Sequence, residues 1–128
     1  MIDSYGREIN YLRVSVTKRC NLSCTYCGAQ NEKENNELTA EETEKIVRAF
    51  ALCGINKVRL TGGEPLVRRD ICDIAERISR IDGIRKLALT TNGIRLKEYA
   101  GSLKKAGVTA VNISLDTTDR ERFRSITG

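Results

Sequence analysis

Four times along the chain a short apolar run rich in β-forming residues meets a turn and then a helical pattern, and this alternation restricts the fold to an α/β class with parallel strands. The runs are "YLRVSV" (11–16), "KVRL" (57–60), "KLALTT" (86–91) and "AVNISL" (110–115). The first helix is expected within 38–54, where Thr39 and Glu42 have the spacing of a capping box and Gly54 is a natural stop. Ile46, Val47, Phe50 and Ala51 are expected on its buried face. A second helix is predicted from Asp70 to Ile81 on the repeat of Ile71, Ile74, Ala75 and Ile78, and a third near 96–106, ended by Gly107. Thr118 is expected to cap a fourth, which begins "RERFRSI".

The distinctive motifs all follow a strand. Three cysteines come after the first, Gly62-Gly63 after the second, Thr91-Asn92 after the third and Asp116 after the fourth. In α/β barrels and open α/β sheets the carboxyl edge of the strands is where sites are built. With 128 residues and four βα units, the chain amounts to half of an eightfold barrel, or the first part of a six-unit partial barrel.

The segment "RCNLSCTYCG" (19–28) spaces Cys20, Cys24 and Cys27 as C-x3-C-x2-C in a polar loop. Five cysteines with three crowded together point to metal or redox chemistry rather than a disulfide framework. Two readings fit the triplet. A zinc ion completed by Cys53 or Cys72 satisfies tetrahedral geometry, although both residues also read as small buried hydrophobes of amphipathic helices. A four-iron cluster held by three thiolates leaves its fourth iron open to a small molecule. Histidine is absent, which removes the commonest general base and zinc ligand. A net charge of +5 with dispersed basic residues and 5% aromatics fits an anionic small molecule and gives no stacking platform for a specific nucleic acid. No apolar run is long enough to span a bilayer, and the polar start "MIDSYGREIN" reads as cytoplasmic rather than secreted.

C-x3-C-x2-C with an aromatic residue before the last cysteine, here Tyr26, resembles the hallmark of radical S-adenosylmethionine (SAM) enzymes. The resemblance implies a partial (βα)6 barrel whose N-terminal half is residues 1–128. It implies a [4Fe–4S] cluster on Cys20, Cys24 and Cys27, with SAM on the open iron as a source of a 5′-deoxyadenosyl radical and a cellular electron donor. "GGEP" (62–65), which alone reads as a tight turn, resembles the family's glycine-rich motif, so Gly63 backbone groups and the Glu64 carboxylate are expected at the SAM amino group. Ser114, which alone reads with its neighbours as a helix-capping segment, is expected as a further SAM contact, beside Tyr26.

"GREINYLRVSVTKRCNLSCTYC" (6–27), "VRLTGGEPLVRRD" (58–70), "LTTNG" (89–93) and "VNISLD" (111–116) together resemble the GTP 3′,8-cyclases of molybdenum-cofactor biosynthesis. This narrower resemblance implies GTP as substrate, with Arg13, Arg59 and Thr90 as its contacts; guanidinium forks suit phosphate oxygens. Arg68 and Arg69 are expected as a solvated helix start. Gly28-Ala29 stands where the family has Met-Pro, and the family's second cluster and glycine-rich tail are not in this sequence. A half-barrel leaves open sheet edges, so self-association is expected.

Overall fold

The computed structural model describes residues 2–27 and 37–128, and the expected departure at Gly28-Ala29 lies outside them. Four strands alternate with four helices: β1 (Tyr11–Ser15), α1 (Ala40–Leu52), β2 (Lys57–Thr61), α2 (Ile71–Ser79), β3 (Lys86–Thr91), α3 (Leu96–Lys105), β4 (Ala110–Ile113) and α4 (Arg120–Thr127). A single 3₁₀ turn, Pro65–Val67, joins the glycine pair to α2. All strand pairs are parallel, in the order β1-β2-β3-β4.

The alternation along the strands separates two faces. Val58, Leu60, Leu87 and Leu89 are buried beneath the helices and meet Val47, Ile71, Ile74, Ile78 and Leu103 in one core. The intervening residues Arg13, Arg59, Thr61, Ala88, Thr90 and Asn112 point away from that core. No described helix is long and apolar enough to cross a membrane.

The capping box of α1 forms as its spacing predicts. Thr39 Oγ1 accepts from Glu42 N at 3.1 Å, and the Glu42 carboxylate accepts from Thr39 N at 2.8 Å. The buried stripe of α1 differs from expectation: Ala40, Thr43 and Val47 face inward, with Ala51 packed beside them, while Ile46 and Phe50 are exposed. The two stripes share Val47 and Ala51, so hydrophobic periodicity alone does not choose between them. Thr43 enters the core because its hydroxyl donates to the Thr39 carbonyl at 2.8 Å and carries no unmet polar group inward.

Three further expectations need correction. Cys53 is the exposed C-cap of α1 rather than a core residue, whereas Cys72 packs half-buried against the core. The cap of α4 is Asp119, whose carboxylate accepts from Arg122 N at 2.8 Å, and not Thr118. Arg68 is 4% exposed, while Arg69 is exposed as expected. The Arg68 guanidinium finds enough fixed acceptors in the fold to offset the cost of burying a charge.

Candidate active site

Beyond β1 the chain turns into the cysteine loop, and several elements tie that loop in place. Ser23 N and Thr25 N donate to the Thr127 and Ile126 carbonyls of α4 at 2.9 and 2.8 Å. The Asn92 side chain donates to Asn21 Oδ1 at 2.8 Å, joining the loop to the end of β3. The Tyr26 hydroxyl donates to Asp116 Oδ2 at 2.8 Å, joining it to the end of β4. This bond to a carboxylate is the main reason that the Tyr26 phenol is pushed up to about 12.

The glycine pair has a role that its composition does not disclose. A Cβ at Gly63 would lie 2.4 Å from the Arg19 carbonyl oxygen and 2.6 Å from that of Lys18, and a Cβ at Gly62 would lie 2.4 Å from that of Thr17. The close approach that demands glycine is therefore to the protein's own backbone at the root of the cysteine loop. Gly63 N donates to the Thr17 carbonyl and Glu64 N to that of Arg19, both at 2.8 Å. Gly63 is left with its carbonyl to offer a ligand.

Glu64 is turned inward as well. At 2% exposure its carboxylate accepts from Leu66 N at 2.9 Å, from Thr91 Oγ1 at 2.7 Å and from Asn92 N at 2.7 Å. It braces the ends of β2 and β3 against each other while remaining part of the cavity lining.

A cavity of about 270 Å³ opens above the carboxyl ends of the strands. Its wall brings together Arg13, Cys20, Cys24, Tyr26, Cys27, Gly63, Glu64, Thr90 and Ser114, nine of the ten expected site residues, and adds Asn92 and Asp116. The tenth, Arg59, stands beside Arg13 in the strand register and stacks over the Tyr11 ring at 5.7 Å. Ser114 is set by a bond from its N–H to the Thr91 carbonyl at 2.8 Å.

The donor set suits an iron–sulfur cluster. All three thiols are free and share one cavity, and Leu22 N donates to Cys20 Sγ at 3.4 Å. Among the described residues no group of three acidic, cysteine or histidine side chains converges to grip a single ion, whereas a cubane takes each thiolate on a different iron. Cys53 and Cys72 lie away from the cavity wall, so neither is placed to complete a zinc site.

Residues 14–128 match the model of the Radical SAM superfamily. The chain belongs to that superfamily. Radical SAM enzymes employ a [4Fe–4S] cluster and SAM, and those are the cofactors that the cavity's residues fit. The chain is 53% identical over 131 aligned positions to a GTP 3′,8-cyclase of Pelotomaculum thermopropionicum and 50% identical to one of Geobacter sulfurreducens. Each alignment covers 99% of this chain and 40% of the relative, so the chain spans well under half the length of those curated relatives. Among solved radical SAM structures, Streptococcus suis SuiB bound to SAM superposes with a TM-score of 0.77 at 25% identity, over 93% of this chain and 28% of SuiB. HydG, a maturase of the [FeFe]-hydrogenase, superposes at 0.75 with 23% identity, over 91% of this chain and 28% of HydG. The α/β half-barrel expected from the strand–helix alternation is thus the radical SAM fold.

Sequence reasoning missed Glu37 and the burial of Arg68, and it placed Asn92 and Asp116 at the strand ends without assigning them a role, because the partners of all four are distant in the chain. It also missed the two lysines in the strand row next to the arginines, Lys57 opposite Tyr11 and Lys86 opposite Lys57. Each belongs to a strand already identified, and strand alternation places all four cations, Arg13, Arg59, Lys57 and Lys86, on the helix-free face.

Proposed function

We propose that this chain is the N-terminal half of a radical SAM GTP 3′,8-cyclase, the enzyme that converts GTP to (8S)-3′,8-cyclo-7,8-dihydroguanosine 5′-triphosphate at the start of molybdopterin synthesis. The observation that carries the reading is the helix-free face of the sheet. Arg13 and Arg59 are register partners there, and both Arg59 Nε and Thr90 Oγ1 are buried with no hydrogen-bond partner. Buried polar atoms without partners carry a cost that a ligand relieves. Permanently charged guanidinium groups beside a hydroxyl suit the oxygens of a triphosphate.

The bound cluster and SAM supply a one-electron cleavage that yields a hydrogen-abstracting radical. The chain's own residues do the rest of the work assigned here. Cys20, Cys24 and Cys27 hold the cluster. The Gly63 carbonyl, Tyr26 and Ser114 orient SAM, and Glu64 fixes the wall against which SAM rests. Arg13, Arg59 and Thr90 place the GTP ribose toward the cluster end of the cavity. The same proposal puts the protein in the cytoplasm with a cellular electron donor, and gives its open strand edges to self-association.

Anaerobic titration of GTP into the reconstituted chain with SAM tests this. GTP is expected to bind, guanosine to bind much less, and Arg59→Ala to weaken GTP by about tenfold, the equivalent of roughly one charge-assisted hydrogen bond. Equal binding of GTP and guanosine, or an Arg59→Ala variant as tight as the unaltered chain, overturns the assignment of substrate.

A further inference from the structure

Val16, just beyond β1, and Glu37 and Leu38, just ahead of α1, sit together. Arg68 is the reason. Its Nη1 donates to the Val16 carbonyl at 2.6 Å and its Nη2 to the Leu38 carbonyl at 2.6 Å. The same guanidinium grips the Asp70 carboxylate through Nε at 2.7 Å and Nη2 at 2.9 Å. One planar group therefore joins the end of β1, the residue before the Thr39 cap of α1 and the start of α2. Its side chain is 5% exposed, and the bond to the Val16 carbonyl is buried, while the Asp70 carboxylate stays 44% exposed.

Glu37 adds a second tie beside the first. Its carboxylate accepts from the Thr17 hydroxyl and from Arg19 Nε and Nη2 at 2.9 and 3.0 Å. Arg19 immediately precedes Cys20. The carbonyl of Arg19 is also the atom against which Gly63 packs, so the clamp fixes the loop root to the cavity wall.

We infer that Arg68, seconded by Glu37, is a positioning residue for the cluster: it holds both arms of the cysteine-bearing segment so that Cys20, Cys24 and Cys27 share one cavity wall. The inference rests on the superfamily's cluster at these cysteines and is independent of the substrate. Lysine keeps the charge at position 68 but lacks the planar fork that reaches two carbonyls and a carboxylate at once.

The test is anaerobic reconstitution of the 128-residue chain and its Arg68→Lys and Glu37→Gln variants with iron and sulfide. Three readouts are taken: iron per chain, cluster loss to a chelator, and the paramagnetic resonance of the dithionite-reduced cluster with and without SAM. Arg68→Lys is expected to weaken cluster retention by about 10–100-fold, as outer-shell substitutions do at metal sites, and to lose the spectral change on adding SAM. Glu37→Gln is expected to act in the same direction and less strongly. A chain altered only in general stability would melt lower but keep the SAM-induced change. An Arg68→Lys variant with the unaltered chain's retention and spectrum overturns the inference. If that variant lacks the native circular dichroism, Glu37→Gln decides, and unaltered retention and spectrum there overturn it as well. No iron uptake by the unaltered chain overturns the cluster reading and the inference with it.

Discussion

The Glu64 carboxylate accepts the Thr91 hydroxyl at 2.7 Å across the ends of β2 and β3, with both residues 2% exposed. The residue after the glycine pair and the last residue of β3 are thereby held as one unit, and the backbone N–H of Asn92 completes it. Glu64→Gln turns an amide donor toward groups that are themselves donors. It is expected to destabilise the chain by about 1–3 kcal/mol, measured by urea unfolding. Faster amide exchange at Asn92 and Leu66 should accompany the loss. Unchanged stability and exchange would refute the bracing role.

Two glycines should respond oppositely to alanine. At Gly63 the added Cβ would meet the Arg19 and Lys18 carbonyl oxygens, neither of which can yield without moving the cysteine loop. The expected loss is about 1–3 kcal/mol, as in other overpacked sites. At Gly101, inside α3, a Cβ meets nothing within 4 Å. Gly101→Ala should stabilise by roughly 0.5–1 kcal/mol through helix propensity. Parallel urea titrations of the two variants check both signs.

The Arg68–Asp70 pair makes stability depend on pH with a definite sign. The hydrogen bond from Arg68 holds the Asp70 carboxyl below its ordinary value. A depressed folded pKa contributes stability above the unfolded value of about 4, and that contribution is lost as pH falls through the folded value. Asp70→Asn should therefore lower Tm at pH 7, with the gap to the unaltered chain closing in acid as pH falls through the depressed folded value. Because Asp70 is 44% exposed, solvent screening keeps the effect small. A gap that widens in acid would reverse the assigned sign.

The β4 edge presents a short parallel strand whose four residues are all exposed, with Val111 at 40% and Ile113 at 56%. Such an edge pairs readily with another chain. Light scattering at micromolar concentrations is expected to show self-association, and Ile113→Lys to return the chain toward monomer. A strictly monomeric unaltered chain would count against open-edge pairing.

Much of the fold is legible in local pattern. The α1 capping box, the Ile71-Ile74-Ala75-Ile78 stripe and the strand alternation depend on neighbours a few residues apart. The cysteine spacing is legible for the same reason, because three thiols within eight residues constrain one loop. Ile46 and Phe50 mislead because two apolar stripes of α1 overlap, and only packing against α2 and the sheet selects between them. Arg68 misleads because a lone arginine beside a helix start is ordinarily solvated, and its acceptors at Val16 and Leu38 are 52 and 30 residues away.

By itself the sequence determined the α/β order, the carboxyl-edge location of every motif and the grouping of Cys20, Cys24 and Cys27 in one loop, because each follows from short-range periodicity and spacing. Only the tertiary structure decided that Gly62 and Gly63 make room for the cysteine loop's own backbone, that Glu64 is spent on β3, and that Arg68 is buried as a clamp. Those outcomes depend on which carbonyls and carboxylates the folded chain brings within hydrogen-bond reach, and distances of that kind are set when the strands align and the helices close over them.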